Sequence, residues 1–127
     1  MILGIDPGRD KCGIAVLDSK LNRYFKEVVS TSKMEKKVKE LKGQFNIQKV
    51  VLGDGTKSED FQKKLSRYFS EIILVDEYKS TLEARDYYWK ENPPKGWRRL
   101  IPLSLQTPLQ PIDDYVAVIL VERHLKD

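Results

Sequence analysis

The chain of 127 residues predicts an α/β fold, a mixed five-stranded sheet in which three antiparallel strands precede two parallel ones, with helices on both faces. Three observations carry this reading. The opening third holds three apolar or aromatic segments joined by short turns, and short connections make antiparallel neighbours. The rhythm then changes to helix, strand, helix, strand, helix, and strands linked through helices run parallel with right-handed crossovers. A final segment, Tyr115 to Val121, is apolar on almost every side, so it must lie buried against the sheet.

In order, Ile2 to Ile5 reads as a strand, Asp6 to Asp10 as a tight turn, and Cys12 to Leu17 as the returning strand. Asp18 to Asn22 supplies a second turn, and Arg23 to Ser30 a third strand. Three Ser or Thr residues stand three positions before a Glu: Ser32/Glu35, Thr56/Glu59 and Ser80/Glu83. That is the reciprocal capping box, which marks a helix N-terminus. Val38, Leu41 and Phe45 recur at helical spacing behind the first, with Gly43 as its expected stop. Phe61, Leu65 and Phe69 stripe the second helix; Leu82, Ala84, Tyr88 and Trp89 belong to the third. Lys49 to Gly53 and Ile72 to Val75 are continuous apolar runs, the pattern of central strands covered on both faces. Five of the six prolines fall between Pro93 and Pro111, which predicts a loop there. Pro111 suits the first turn of a last helix reaching about Leu125.

The length fits one domain, residues 1–127, with neither repeat nor low-complexity tract. Hydrophobic residues at 40% and charged residues at 33% describe a globular protein with a charged surface. A net charge of +4 leans mildly toward polyanions, and its placement matters more than its sum. Cys12 is the single cysteine, so no internal disulfide forms, and its strand gives it a packing role. No apolar run nears the ~20 residues that span a bilayer and no signal-peptide pattern opens the chain, so the expected compartment is the cytoplasm. One Cys and one His leave nothing for a zinc site. His124 falls in the last turn of the final helix, where a cation complements the dipole.

Acidic residues punctuate the ends of these elements: Asp6, Asp54, Asp76-Glu77 and Asp113-Asp114. Strand ends of one sheet can bring such carboxylates together. Two of them ~4 Å apart at an effective dielectric near 20 repel by about 4 kcal/mol. A protein can relieve this by protonating one, or a divalent ion can sit between them with both charged. All-oxygen ligation suits Mg²⁺ or Mn²⁺. On a basic chain, such a site points to phosphodiester chemistry. Each acid also has a plain reading. Asp6-Pro7-Gly8 is a common turn, and Glu77, Asp113 and Asp114 sit near helix N-termini, where acids are favoured anyway. Asp54 between Gly53 and Gly55 could serve a turn.

Three blocks in sequence resemble the YqgF (RuvX-like) family of the ribonuclease H-like superfamily. Asp6-Pro7-Gly8-Arg9-Asp10-Lys11-Cys12-Gly13-Ile14-Ala15 looks like its Asp-x-Gly-x-x-basic-x-Gly-x-Ala pattern. Asp76-Glu77-Tyr78-Lys79-Ser80-Thr81-Leu82-Glu83-Ala84 looks like its Asp-Glu-Arg-x-Ser/Thr-Thr-x-x-Ala segment, with Tyr78 in place of Arg. Asp113-Asp114-Tyr115-Val116-Ala117-Val118 looks like its terminal acidic helix. The resemblance implies a ribonuclease H-like fold and a nuclease that either trims small-subunit ribosomal RNA precursors, ranked slightly first, or resolves Holliday junctions. It selects Asp6, Glu77 and Asp113 as catalytic residues and ligands for one or two Mg²⁺ (or Mn²⁺) ions. Helical spacing adds that Asp113 shares a face with Val116, Ala117 and Leu120. The Gly53-Asp54-Gly55-Thr56 run instead looks like YqgF-like domains of transcription accessory proteins, which implies the alternative, a non-catalytic nucleic-acid- or protein-binding module.

The expected partner is nucleic acid, bound by a monomer or homodimer. Arg9 and Lys11 flank the Asp6 turn, Lys79 follows Glu77, and the proline-rich loop offers Lys95, Arg98 and Arg99, with Trp97 for stacking. Lys36, Lys37 and Lys39 read as a solvated helix face.

Overall fold

The computed structural model describes residues 1–55, 57–78, 80–100, 102 and 111–126, with the side chains of Trp97 and Arg98 outside that description. Strands β1 (Ile2–Asp6), β2 (Lys11–Leu17) and β3 (Arg23–Ser30) open the chain. A 3₁₀ turn, Thr31–Lys33, leads into α1 (Met34–Gln44). Then come β4 (Lys49–Gly53), α2 (Ser58–Leu65), β5 (Ile72–Val75) and α3 (Ser80–Glu91). A second 3₁₀ turn, Gly96–Leu100, precedes α4 (Asp113–Lys126).

The sheet order is β3-β2-β1-β4-β5. β1 pairs antiparallel with β2, and β2 with β3; β4 pairs parallel with β1, and β5 with β4. The mixed five-stranded sheet therefore forms as expected. Alternation along the strands sends side chains to opposite faces. Leu3, Ile5, Ile14 and Leu52 pack with α1 and α2 on one side. Ile2, Ala15, Leu17 and Val51 pack with α3 and α4 on the other. Helices cover both faces.

The local details differ from expectation in several places. No side-chain cap forms at the start of α1 or α2, whose leading residues are Lys33 and Lys57. Ser32 is absorbed into the 3₁₀ turn, Thr56 lies outside the described residues, and Ser80 is already the first residue of its helix. Gly43 stays inside α1, and the chain leaves the helix at Phe45. β5 is an edge strand rather than a central one, so Leu74 is exposed. Its apolar run resembles a two-sided strand because α4 reaches it on one face and little covers the other. Leu82 is exposed as well, since α3 turns Ala84, Tyr88 and Trp89 inward. About half of the expected proline-rich loop falls outside the described residues, and the turn at Gly96–Leu100 shows part of it is regular.

Helix α4 is buried continuously from Asp114 to Val121. It approaches the sheet over Gly4, where an added Cβ would stand 2.6 Å from the Ala117 carbonyl oxygen and 2.6 Å from Val121 Cγ2. Backbone cannot yield as a side-chain end can. Gly4→Ala should therefore destabilise the fold by about 1–3 kcal/mol, read as a lower urea midpoint; an unchanged midpoint would show that α4 can move away cheaply.

Candidate functional site

Parallel strands end at the same rim of a sheet, and antiparallel partners contribute their starts there. The carboxyl ends of β1, β4 and β5 thus lie beside the N-terminus of β2, following the pairing Asp6↔Gly13, Ile5↔Leu52 and Gly53↔Val75. The strand order departs in opposite directions from β1 at this edge, the position where open α/β sheets bind ligands. Asp6 ends β1, Asp54 follows β4, and Asp76 and Glu77 follow β5.

Glu77 reaches across β4. Glycines make this possible: a Cβ on Gly53 would meet Glu77 Oε1 at 1.9 Å, and one on Gly55 would meet Oε2 at 2.5 Å. The Gly-x-Gly spacing after a parallel strand is a cradle for a carboxylate, a role the sequence reading left open between turn and site. Asp54, exposed between the two glycines, accepts the Glu77 backbone N–H at 3.2 Å. The Asp54 backbone N–H in turn donates to the Val75 carbonyl at 3.1 Å. Asp54 therefore orients Glu77 rather than standing idle. Asp76 accepts the Tyr78 N–H at 2.9 Å and stays exposed.

Asp6 and Glu77 share a hydrogen bond, and burial pushes the Asp6 carboxyl up to about 9. That bond and the charges of Glu77 and Asp113 push the same way. Glu77 is also raised, chiefly by burial, while the Asp6 bond pulls it down. Both carboxyls are raised and share that bond, so the pair holds one proton between them. Asp113 lies close enough to act on both Asp6 and Cys12. The Cys12 thiol is fully buried and pushed up to about 12, the packing role expected of it.

Helix α4 delivers Asp113 by backbone contact. A Cβ on Gly13 would stand 1.8 Å from the Asp113 carbonyl oxygen. Lys11 Nζ is 3.5 Å from Asp113 Oδ2. Yet that oxygen, like Glu77 Oε1, is buried without a hydrogen-bond donor in bonding geometry among the described residues. Asp114, not Asp113, is the acid on the deeply buried face, only 8% exposed. It is fully engaged: Lys26 Nζ donates to Oδ2 at 2.8 Å, the Tyr115 N–H donates to Oδ1 at 3.0 Å, and Lys26 sits 3.9 Å from the Tyr115 ring centroid. Those bonds remove Asp114 from the candidate site.

The donor set tests well against a hard divalent cation. It is all oxygen, carries excess negative charge, and includes two buried oxygens short of donors. Among the described residues no group of three or more His, Cys, Asp or Glu side chains forms a ready-made cage. The pairings explain this, because Asp6 is turned to Glu77 while Asp113 faces Lys11. Of the expected nucleic-acid contacts, Arg9, Lys11, Lys95 and Arg99 are exposed, and Arg99 Nε donates to the Gly96 carbonyl at 3.3 Å. Lys79 and the side chains of Trp97 and Arg98 lie outside the described residues. His124 falls in the last turn of α4, as expected.

No protein-family model and no curated sequence matches the chain. Solved structures do. Thermus thermophilus RuvC in complex with a Holliday junction substrate gives a TM-score of 0.60 at 16% identity, covering 97% of this chain and 90% of that one. The Thermus thermophilus RuvC structure gives 0.56 at 14% identity, with 97% and 91% covered. Fowlpox virus resolvase, in complex with substrate Holliday junction DNA, gives 0.59 at 15% identity, with 98% and 96% covered. The fold is ribonuclease H-like, of the RuvC type. No helix among the described residues is long and apolar enough to cross a membrane.

The half-buried acid pair makes stability depend on pH. Asp6 binds its proton more tightly folded than unfolded, so its contribution is complete below about pH 4 and disappears as pH rises toward 9. In chelator, the melting temperature should fall over that range, each pH unit costing at most about 1.4 kcal/mol. An Asn amide can donate to Glu77 at any pH, so Asp6→Asn should flatten the profile and be the more stable protein at pH 8. Parallel pH profiles for the two proteins would contradict the shared proton. Separately, Gly53→Ala should displace Glu77 while leaving the sheet folded, seen as a nearly native circular dichroism spectrum with the pH-dependent part of the stability reduced. Wild-type pH dependence in this variant would show that the cradle does not position Glu77.

Proposed function

We propose that the chain is a metal-dependent endonuclease that hydrolyses phosphodiester bonds in structured nucleic acid, with branched DNA as its substrate class. The finer placement within the ribonuclease H-like superfamily is the YqgF (RuvX-like) family, on the three sequence blocks described above. The observation that carries the activity is the half-buried Asp6–Glu77 pair beside Asp113, held at the carboxyl rim of the sheet with oxygens short of donors. Burying like charges costs stability, and a merely structural rim gains nothing from them. The choice of branched DNA over ribosomal RNA precursors reverses the sequence ranking. It is supported by two structural neighbours that are complexes with Holliday junctions.

Asp6, Glu77 and Asp113 are the residues that would hold Mg²⁺ or Mn²⁺. When bound there, such an ion supplies charge neutralisation and a lowered pKa for the attacking water. The chain's own groups do the rest. Gly53 and Gly55 leave room for the Glu77 carboxylate, and Asp54 fixes the backbone from which it projects. Asp6 keeps a proton while no cation is present, which holds the acids together until the site is loaded. Lys11 places a positive charge beside Asp113, where a substrate phosphate can draw it away. Arg9, on the turn behind Asp6, is exposed to meet the same strand.

The test is a panel of end-labelled substrates (four-way junction, linear duplex, single-stranded RNA) incubated with Mg²⁺ or Mn²⁺. The junction should be cut, and Asp6→Asn should lower the rate by more than about 100-fold, since even residues behind metal ligands cost 10–100-fold. Cleavage undiminished in a clean Asp6→Asn preparation would remove the catalytic assignment. Tight junction binding with no cleavage by any protein would leave the non-catalytic module.

A further inference from the structure

A groove of about 380 Å³ runs along the outer side of the sheet between β3 and α1, away from the acids. Its walls are residues 27–30 of the edge strand and Lys33, Lys36, Lys37 and Glu40 on the helix side. We propose that this groove holds a second stretch of the nucleic-acid backbone, extending the substrate track outward from the acidic site. The proposal rests on the function proposed above and names a surface that reading does not use.

Charge comes first. Lys37 is committed, 3.7 Å from Glu27 and 3.5 Å from Glu40, one positive charge shared between the two glutamates of the groove. Lys33 and Lys36 are exposed and enter no ion pair among the described residues. Two positive charges therefore face solvent on one helix side, three residues apart, with the local acids already engaged. Lys39, the other lysine of this run, lies apart from them, 5.5 Å from the Tyr68 ring.

Attachment comes second. Ser30 pairs in register with Lys11. The Thr31 N–H donates to the Asp10 carbonyl at 3.0 Å, and Thr31 Oγ1 donates to the Gly8 carbonyl at 2.8 Å. These bonds fasten the 3₁₀ turn bearing Lys33 to the turn that follows Asp6 and carries Arg9. Arg9, Lys11, Lys33 and Lys36 thus belong to one rigid unit, leading from the acids to the groove. A polyanion spanning several phosphates fits such a row.

An extended protein segment pairing with β3 is the rival occupant. The strand argues against it, because Arg23, Lys26 and Glu27 place charges along the open edge, the usual device that discourages strand addition.

The experiment measures binding of a fluorescent four-way junction to the full chain in chelator, across a salt series, so that cleavage does not enter. Lys33→Ala/Lys36→Ala should lower the slope of log affinity against log salt by about 2, near 0.9 per lost phosphate contact. At 0.1 M salt this lowers affinity by roughly tenfold or more. Glu27→Gln should tighten binding. Both lysines are exposed, and circular dichroism checks that the helix is intact. An unchanged slope in a folded double variant overturns the proposal and leaves the groove to protein contacts at β3. If Arg9→Ala/Lys11→Ala flattens the slope while the groove variant does not, the groove fails and the nuclease reading stands. If the groove variant weakens binding although no substrate is ever cut, the surface stands and the catalytic reading fails.

Discussion

Everything at the rim depends on how closely α4 lies on the sheet. Gly4 and Gly13 present bare backbone where any side chain would strike the helix, at Ala117 and at Asp113 respectively. The helix can therefore settle with its residues from Asp114 to Val121 buried. That burial is the largest apolar contribution on this face, and it fixes the helix start as rigidly as the helix body. Asp113 is placed by the same contact that stabilises the fold. Position and stability are tied here, because Gly13, which brings the acid into range, and Gly4, which lets the core close, admit the same helix.

The consequence is a conflict held in place. Hydrophobic packing forces three acids toward one rim, and burial raises the free energy of each charge. The protein answers with different devices on the two sides of α4. Asp114 receives Lys26 and its neighbour's N–H, a closed arrangement with an aromatic lid from Tyr115. Asp6 receives only another acid and holds a proton to tolerate it. Adjacent residues on one helix turn thus separate a satisfied structural acid from one left short of partners. Perturbed ionisation of this kind is concentrated at functional sites. The contrast with Asp114 gives that general rule its force here, since the same local fold shows what full satisfaction looks like.

Much of this was legible in the sequence, and the failures have physical reasons. Sheet composition and strand directions followed from connection lengths, which limit how strands can pair. β3 matched residue for residue because turn residues bound it on both sides. The capping boxes misled because α1 and α2 begin one or two residues late, with a 3₁₀ turn or a lysine at the boundary, and packing of Met34 and Phe61 outweighs a cap of about 1 kcal/mol. The apolar run of β5 predicts a central strand, because hydrophobicity reports burial on faces and says nothing of what lies beside a strand. Asp113 and Asp114 were separated by resemblance and helical spacing. Spacing put Asp113 on the buried face, yet Asp114 is the deeper one, because Lys26 on β3 neutralises it there. No periodicity reveals a partner 88 residues away.

Fold likeness at 14–16% identity carries the architecture and leaves the chemistry to be argued from side chains. On that footing the distribution of charge says more than the net +4. Along the rim, positive groups flank the acids without filling them. Lys11 pairs with Asp113 at 3.5 Å from the flank of the site, and Lys33 near the β3 groove sits on the turn that Thr31 fastens behind it. Had a lysine reached between Asp6 and Glu77, the pair would have been neutralised like Asp114 and closed to any ligand. The proton shared by Asp6 and Glu77 performs that neutralisation reversibly, and under the proposed function a divalent cation would displace a proton rather than an ammonium group with its whole side chain. Under the proposed function, the Asp6–Glu77 pair would share its proton while free and give it up only when something more positive arrives.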